Sequence, residues 1–388
     1  MAGQPGTSQD FPDDDPFLLR HLPGRSPLMM GVRTRVHQLN TNERLARFIL
    51  LAGETGTGKN HVARVIAGHR RWLGTRDADL VGAALPGGIG PLERYTERLG
   101  EKVMSVVTET LAESQLFGHV RGAFSDARKD YPGLFGDPGY DDILLDEIGE
   151  MSRAIQAKLL GVLGDGTFVP LGGTSRQRQS LSARILMATN RDLARMVQAG
   201  TFRQDLFFRV RRHVVVIPPL REHIEDLPAI AAAIIARTCA RDAGRWTTAP
   251  RLSREDLAWA SGQRWPGNVR ELEELLEVWL VDGAERPLLA IADARPYADA
   301  DDVIAGTADD VSAQVRELLE GSMDGSREAP GTLGQLVERF TEKTKVAVMT
   351  AVREWYRERR ADRELIHRLF PGMTYESFKS QISRAGRR

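Results

Sequence analysis

A single cysteine, Cys239, in a chain of 388 residues excludes any internal disulfide and suits a reducing compartment such as the cytoplasm. No apolar run approaches the roughly 18 residues that a membrane-spanning helix needs. The first residues lack both the basic start and the apolar core of a secretory signal, and carry Asp13-Asp14-Asp15 instead. Charge of one sign is also missing overall: 53 Lys and Arg balance 53 Asp and Glu. That balance removes any bulk field toward nucleic acid or a membrane surface. These absences predict a soluble, cytoplasmic protein with no membrane partner. At this length two or three domains and a sizeable core are expected.

The most informative stretch that is present is Gly53-Glu54-Thr55-Gly56-Thr57-Gly58-Lys59-Asn60. It follows the phosphate-loop pattern G-x-x-x-x-G-K, with Asn60 where Ser or Thr is usual. The apolar run Phe48-Ile49-Leu50-Leu51 before it reads as a buried strand, and His61 to Ala67 after it has helical spacing. Glycines in such a loop let backbone N–H groups turn inward around phosphates. Lys59 is placed for the β- and γ-phosphates, and the start of the helix adds partial positive charge.

Two further apolar runs end in polar groups. Ile143-Leu144-Leu145 leads into Asp146 and Glu147, which a parallel strand would deliver to its C-terminal end, where ligands bind in such sheets. Asp146 suits Mg²⁺, and Glu147 suits polarisation of an attacking water. Ala183 to Thr189 is a second such strand, ending at Asn190, which is placed to orient water or touch a γ-phosphate. Arg203 and Arg209, six residues apart, fit either phosphate-charge stabilisers or surface residues paired with nearby acids.

The remaining chain divides by composition. Residues 1–23 mix Gly, Pro, Ser and Asp and read as flexible, and the expectation is that no sensory domain precedes the regular pattern. Met30, Val32, Val36, Leu39 and Leu45 then recur at roughly helical intervals. The Gly-rich passage 74–90 reads as a surface insertion. Gly122-Ala123-Phe124-Ser125-Asp126-Ala127 suggests a mobile loop with an exposed tip, or an ordinary turn with a tucked Phe. Residues 222–282 read as helices, the last with Leu272, Leu275, Leu276 and Leu280 on one face. Residues 282–330 hold 12 Asp and Glu against 4 Lys and Arg and read as an acidic linker with a short helix near Val311–Leu319. From 331 to 388 the sign reverses, with 13 basic against 7 acidic residues. Helices near 333–358, 361–370 and 374–384, with a turn at Pro371-Gly372, outline a helix-turn-helix. Tyr375, Ser377, Lys379, Ser380 and Arg384 would face a groove and phosphates of double-stranded DNA.

In order and spacing, GETGTGK, ESQLFGHVRGAF, LLDEIGEM, QAKLLGVL, LGGT, ATNRDL, FRQDLFFRV, IPPLREHIEDL and WPGNVREL resemble the AAA+ domain of bacterial enhancer-binding proteins, the ATPases that activate sigma-54 RNA polymerase. The resemblance runs from about Gly24 to Asp282, and the tail is similar, more loosely, to their Fis-type helix-turn-helix. It implies an α/β fold: an AAA+ P-loop NTPase with a parallel sheet core (24–218), an α-helical lid (219–282), the acidic linker (283–330) and a small all-α helix-turn-helix domain (331–388). Cofactors are then ATP and Mg²⁺. Gly53 to Asn60, Asp146 and Arg270, the last at the second sensor of the lid, bind nucleotide. Glu147, Asn190, Arg203 and Arg209 are catalytic, the two arginines as fingers that reach the nucleotide of the next subunit. A homo-oligomer, a hexameric ring, follows from fingers acting in trans. Implied partners are sigma-54 RNA polymerase holoenzyme, double-stranded DNA and a separate regulatory protein.

Four departures from the family pattern stand out. Its GAFTGA loop reads Gly122 to Ala127 with Ser125 for Thr and Asp126 for Gly, which adds a charge and restricts the backbone. Two clients therefore stay open: sigma-54 polymerase, or a different protein gripped by the altered loop. The Asn that couples the catalytic Glu to ligand has Thr108 as its candidate counterpart. The insertion at 74–100 has no equivalent in the family and offers a partner surface. Asn60 lacks the hydroxyl that ligates Mg²⁺, as other members do at that position.

Overall fold

The computed structural model describes residues 15–74, 89–104, 109–242 and 244–293, together with Val315, Leu319, Val352, Ile366, Phe370 and Phe378. The chain divides into two compact units, 1–289 and 290–388. In the first, a five-stranded sheet runs β2-β3-β6-β1-β7, every neighbour parallel. Its strands are β1 (Phe48–Ala52), β2 (Leu99–Val103), β3 (Asp142–Asp146), β6 (Arg184–Thr189) and β7 (Val214–Val216). β4 (Thr167–Phe168) and β5 (Gln179–Ser180) form a separate antiparallel pair. Parallel strands need crossovers, and helices supply them on both faces, so the central strands are apolar between their end residues.

Alternation assigns each strand residue to a face. Ile49, Leu51, Leu186 and Ala188 join the core under α1 (Pro16–His21), α2 (Pro27–Thr41) and α3 (Lys59–Gly74). Leu50, Ile143, Ile185 and Met187 face the opposite core. That core is closed by α4 (Glu109–Phe117), α5 (Gly133–Gly136), α6 (Arg153–Asp165), α7 (Leu193–Gln198) and α8 (Gln204–Val210). In register, Ala52 pairs with Thr189 and Leu145 with Met187. The C-terminal ends of β1, β6 and β3 therefore lie side by side, and the segments that follow them meet at one edge.

The helix starts are written locally. Ser26 caps α2, accepting from Met29 N–H at 3.2 Å, with Pro27 in the first turn. Ser152 caps α6, and Gly166 ends it in the left-handed region. After β7 the chain is helical: α9 (Leu227–Arg241), α10 (Arg254–Ser261), α11 (Asn268–Val281) and α12 (Leu288–Asp293). Leu272, Leu275, Leu276 and Leu280 are buried on one face of α11, as their spacing predicts.

Several expectations are corrected. Residues 16–21 are helical rather than flexible: Asp15 caps α1 by accepting from Phe17 and Leu18 N–H, both at 3.0 Å, and the Phe17 ring packs on Tyr95 at 5.2 Å. Leu45 is not part of the helical series, because α2 ends at Thr41 and Leu45 is 77% exposed. The insertion does not extend to residue 100, since Leu92 and Tyr95 are buried and Leu99 begins β2. Residues 75–88 lie outside the described residues. The linker does not begin at 283 as irregular chain: α12 follows, its first N–H donating to Asp256 at 2.7 Å.

In the second unit Val315, Leu319, Val352, Ile366 and Phe378 are helical and buried, each within a predicted helix. Phe370 is outside the helix, although its N–H still donates to Ile366 O at 2.9 Å, and its ring meets Phe378 at 5.3 Å. Thr108 and the five residues chosen for DNA contact, Tyr375, Ser377, Lys379, Ser380 and Arg384, lie outside the described residues.

Candidate functional site

The loop between β1 and α3 is built on two left-handed glycines, Gly56 (φ 78°) and Gly58 (φ 89°), a region where other residues are strained. Thr57 Oγ1 donates to Glu54 O at 2.9 Å, which closes the turn. Val62 N–H donates to Gly58 O as α3 begins. The Lys59 ammonium donates to Gly53 O at 3.0 Å and Glu54 O at 2.6 Å. Burial pushes its pKa down and the Arg270 charge adds to that, against the pull of Asp146, Glu147 and Glu54. The charge of an anion meeting Lys59 would offset both effects by favouring the protonated ammonium.

The acid pair stands two strands over from β1, on the far side of β6. Asp146 Oδ2 accepts from Asn60 Nδ2 at 2.7 Å, and Oδ1 accepts from Glu147 N–H at 2.9 Å. The amide at position 60 therefore acts on the acid as a donor. Glu147 has φ 56° and ψ 50°, a left-handed backbone in a residue that is not glycine. Such strain costs on the order of 1–3 kcal/mol and clusters at functional sites. Asn190, at the end of β6, donates from Nδ2 to Thr55 Oγ1 at 2.8 Å, which ties it to the loop.

The lid closes on the same loop. Arg270 N–H donates to Gly56 O at 3.1 Å, and a Cβ on Gly56 would stand 2.0 Å from Gly267 O. Only glycine permits that approach. The Glu54 carboxylate turns to the lid. It accepts from Arg221 at 2.7 and 2.5 Å and from Asn268 Nδ2 at 3.3 Å. Its pKa is held low, first by the Arg221 hydrogen bonds. Asn268 is fully buried at φ 57°; it donates to Thr55 O at 3.0 Å and accepts from Leu220 N–H at 2.9 Å. Sequence reasoning missed both Arg221 and Asn268. A Pro-Gly-Asn before a helix signals a left-handed Asn, but nothing local says that its amide reaches the loop.

Gly53, Thr55, Gly56, Thr57, Gly58, Lys59, Asn60, Asp146, Asn190 and Arg270 are thus brought together, with Glu147 adjoining. Arg203 and Arg209 are not: neither bonds to the loop or the acid pair among the described residues. Arg203 is held by Asp205 (Nη2–Oδ2 2.8 Å), and the Arg209 side chain makes no hydrogen bond or ion pair among the described residues. Beside the loop a cavity of about 520 Å³ is lined chiefly by apolar groups, among them Leu28, Val32, Val215 and Ile217, with Gly53 and Glu54 on its loop side.

Of the two arrangements open to this loop, an exposed tip or a turn with a tucked Phe, the structure has the second: Phe124 is half-buried, its ring edge-on to His119 at 4.9 Å. Ser114 Oγ lies 2.7 Å from His119 Nδ1. Ala127 is buried, and Gly122 N–H donates to Ala127 O at 2.8 Å, so the turn is closed. Ala123 packs close to Gly172. The exposed residues at the tip are Ser125 and Asp126.

Comparison with known proteins bears on the family and the fold. Residues 92–216 match the Sigma-54 interaction domain and residues 221–298 the AAA+ ATPase lid domain, which carries the lid past the expected end at 282. The Nif-specific regulatory protein of Azotobacter vinelandii is 37% identical over 262 residues, 66% of this chain and 43% of that protein. The DNA-binding transcriptional regulator NtrC of a Bradyrhizobium species is 35% identical over 263 residues, 68% and 48% of the two chains. The nitric oxide reductase transcription regulator NorR1 of Cupriavidus necator is 34% identical over 318 residues, 82% and 53%. The chain spans about half the length of these relatives. Among solved structures, NtrX from Brucella abortus in complex with ATP superposes with a TM-score of 0.53 at 23% identity, over 86% of this chain and 70% of that one, a likeness of fold.

Proposed function

The AAA+ ATPase domain of this chain belongs to the sigma-54 interaction family, and on that premise we propose that the protein is an ATP-hydrolysing, ring-forming transcriptional activator. The loop amides, Lys59 and the start of α3 hold the phosphates. The apolar cavity beside Gly53 takes the base. Arg270 reaches in from the lid. Asp146, an oxygen donor already oriented by Asn60, suits a hard cation such as Mg²⁺; when bound, that ion neutralises charge on the phosphate oxygens. Glu147 accepts a proton from the attacking water, and Asn190 orients that water. Arg203 and Arg209 stabilise phosphate charge in the next subunit, where fingers add on the order of 10³-fold or more in other NTPases.

One observation carries this reading. Lys59, Asp146, Asn190 and Arg270 converge within the chain, whereas both arginines at the start and end of α8 stay away from them. A site of this kind is completed by a neighbour, any closed ring completes every site, and the family resemblance makes that ring a hexamer. The test is ATPase rate against protein concentration for the wild type and for Arg203→Ala. Specific activity should rise as subunits assemble and fall at least about 10³-fold in the variant. Full-rate turnover by a dilute monomer would overturn the reading.

The client is sigma-54 polymerase, engaged through Phe124 and Ser125, with double-stranded DNA bound by residues 331–388 and control exerted by a separate protein. A second reading, a client other than sigma-54, is favoured by the exposed Asp126 carboxylate at the loop tip. Sigma-54 binding in the presence of a transition-state nucleotide mimic separates the two. Binding that is lost in Phe124→Ala supports the first; no binding at all supports the second.

A further inference from the structure

Gln156 lies on α6 and is fully buried. Both ends of its amide are engaged with backbone from outside its own turn. Nε2 donates to Met151 O at 2.9 Å and to Thr201 O at 3.1 Å, and Oε1 accepts from Arg203 N–H at 2.9 Å. Two carbonyls and one N–H leave a single orientation of the amide that satisfies all three. An apolar side chain would fill the space but would strand three backbone groups, one of them in a buried bond and two in part-buried ones, at a cost of up to about 1–3 kcal/mol for the buried one and less for the others.

The partners belong to two functional segments. Met151 closes the short turn Ile148–Glu150 that begins at Glu147. Thr201 and Arg203 lead into α8, with Arg203 in the capping position, so the backbone held by Gln156 is the origin of the Arg203 side chain. The guanidinium itself is exposed to solvent on one side and paired with Asp205. A long side chain delivers its charge accurately only from a fixed root, and a misplacement of about 1 Å can cost about 10²-fold in rate.

We propose that Gln156 is a positioning residue for the Arg203 finger: it fixes the finger's root to the segment that follows Glu147, and so acts on the nucleotide of the adjacent subunit rather than on its own. This rests on the reading that Arg203 works in trans.

The experiment measures ATP turnover and nucleotide affinity of the full chain for Gln156→Met and for Gln156→Asn, which keeps an amide in the pocket one methylene shorter. Each variant alone should lose about ten- to a hundred-fold in turnover and keep its nucleotide affinity. Each is then mixed with Glu147→Gln subunits, which lack the water-polarising acid but carry an intact finger segment. Turnover should recover, because the variant's own site now receives a well-placed finger. Arg203→Ala mixed with the same subunits is the control. Recovery in the control but not with the Gln156 variants overturns the proposal, as does wild-type turnover by both variants alone or loss of nucleotide binding by both. Absence of recovery in the control overturns the reading of fingers in trans, and this proposal with it.

Discussion

Asn60 donates its side-chain amide to Asp146 Oδ2 at 2.7 Å, linking the first turn of α3 to the end of β3 across 86 residues of chain. A residue that cannot ligate a cation as a hydroxyl would is thereby the one that orients the acid most suited to do so. Outer-shell partners of this kind typically change metal affinity by about 10–100-fold. In Asn60→Leu, of similar size and without a donor, the Mg²⁺ concentration for half-maximal ATP hydrolysis should rise by about tenfold or more. Nucleotide affinity without Mg²⁺ should hold. A titration showing the same Mg²⁺ requirement as wild type would contradict this.

The lid is latched to the loop by Asn268. Asn268→Ala strands Leu220 N–H and Thr55 O and places a Cβ residue with no local hydrogen bonding at φ 57°. The expected loss is about 3 kcal/mol, from unpaired buried groups and backbone strain together. Asn268→Gly removes the strain and should recover about 1 kcal/mol of it. Urea unfolding of both variants measures the difference, and equal stabilities would show that the left-handed backbone costs nothing.

Acid should loosen the N-terminal helix. Burial, with the charges of His61 and Arg20, pushes the His21 imidazole down to about 4, and burial lowers His61 as well. A depressed histidine is neutral in the folded chain, so its contribution is intact above the unfolded value near 6.5 and is lost as pH falls from there toward 4. For His21 the loss amounts to about 3 kcal/mol at the lower end. Stability should therefore slope downward between pH 6.5 and 4, and His21→Gln should flatten that slope. An unchanged slope in the variant would assign the protons elsewhere.

The excess of basic over acidic residues in 331–388 predicts DNA affinity that falls steeply with salt, because phosphate contacts release counterions. Binding of a duplex by the full chain should show a linear loss of log affinity against log salt concentration. A chain ending at 330 should lose that dependence. Salt-independent affinity, or no loss on shortening, would place the DNA contact outside the tail or remove it.

Much of the site was legible because its parts are local. A strand, a glycine loop and a helix succeed one another within 48–67, and Asp146 ends β3 with Glu147 next in the chain, so local spacing was enough to single out Lys59, Asp146, Glu147 and Asn190 as candidates. Boundaries were less legible where a few buried rings override composition, as Phe17 does within a polar N-terminus. For Phe124 an exposed tip and a tucked ring both stayed open, since nothing in GAFSDA announces that His119, across a turn, offers its ring a partner.

By itself the sequence determined the class of the fold, the order of its elements and the chemistry of the phosphate loop and acid pair, because alternation, capping residues and glycines act over a few positions at a time. Only the tertiary structure decided which way each polar group turns: Glu54 to Arg221 and Asn268 rather than to phosphate, Asn60 to Asp146, Gln156 to the root of Arg203. Those partners stand 47 to 214 residues apart. They meet through the register of parallel strands and the seating of the lid on Gly56, and neither is set by any local periodicity.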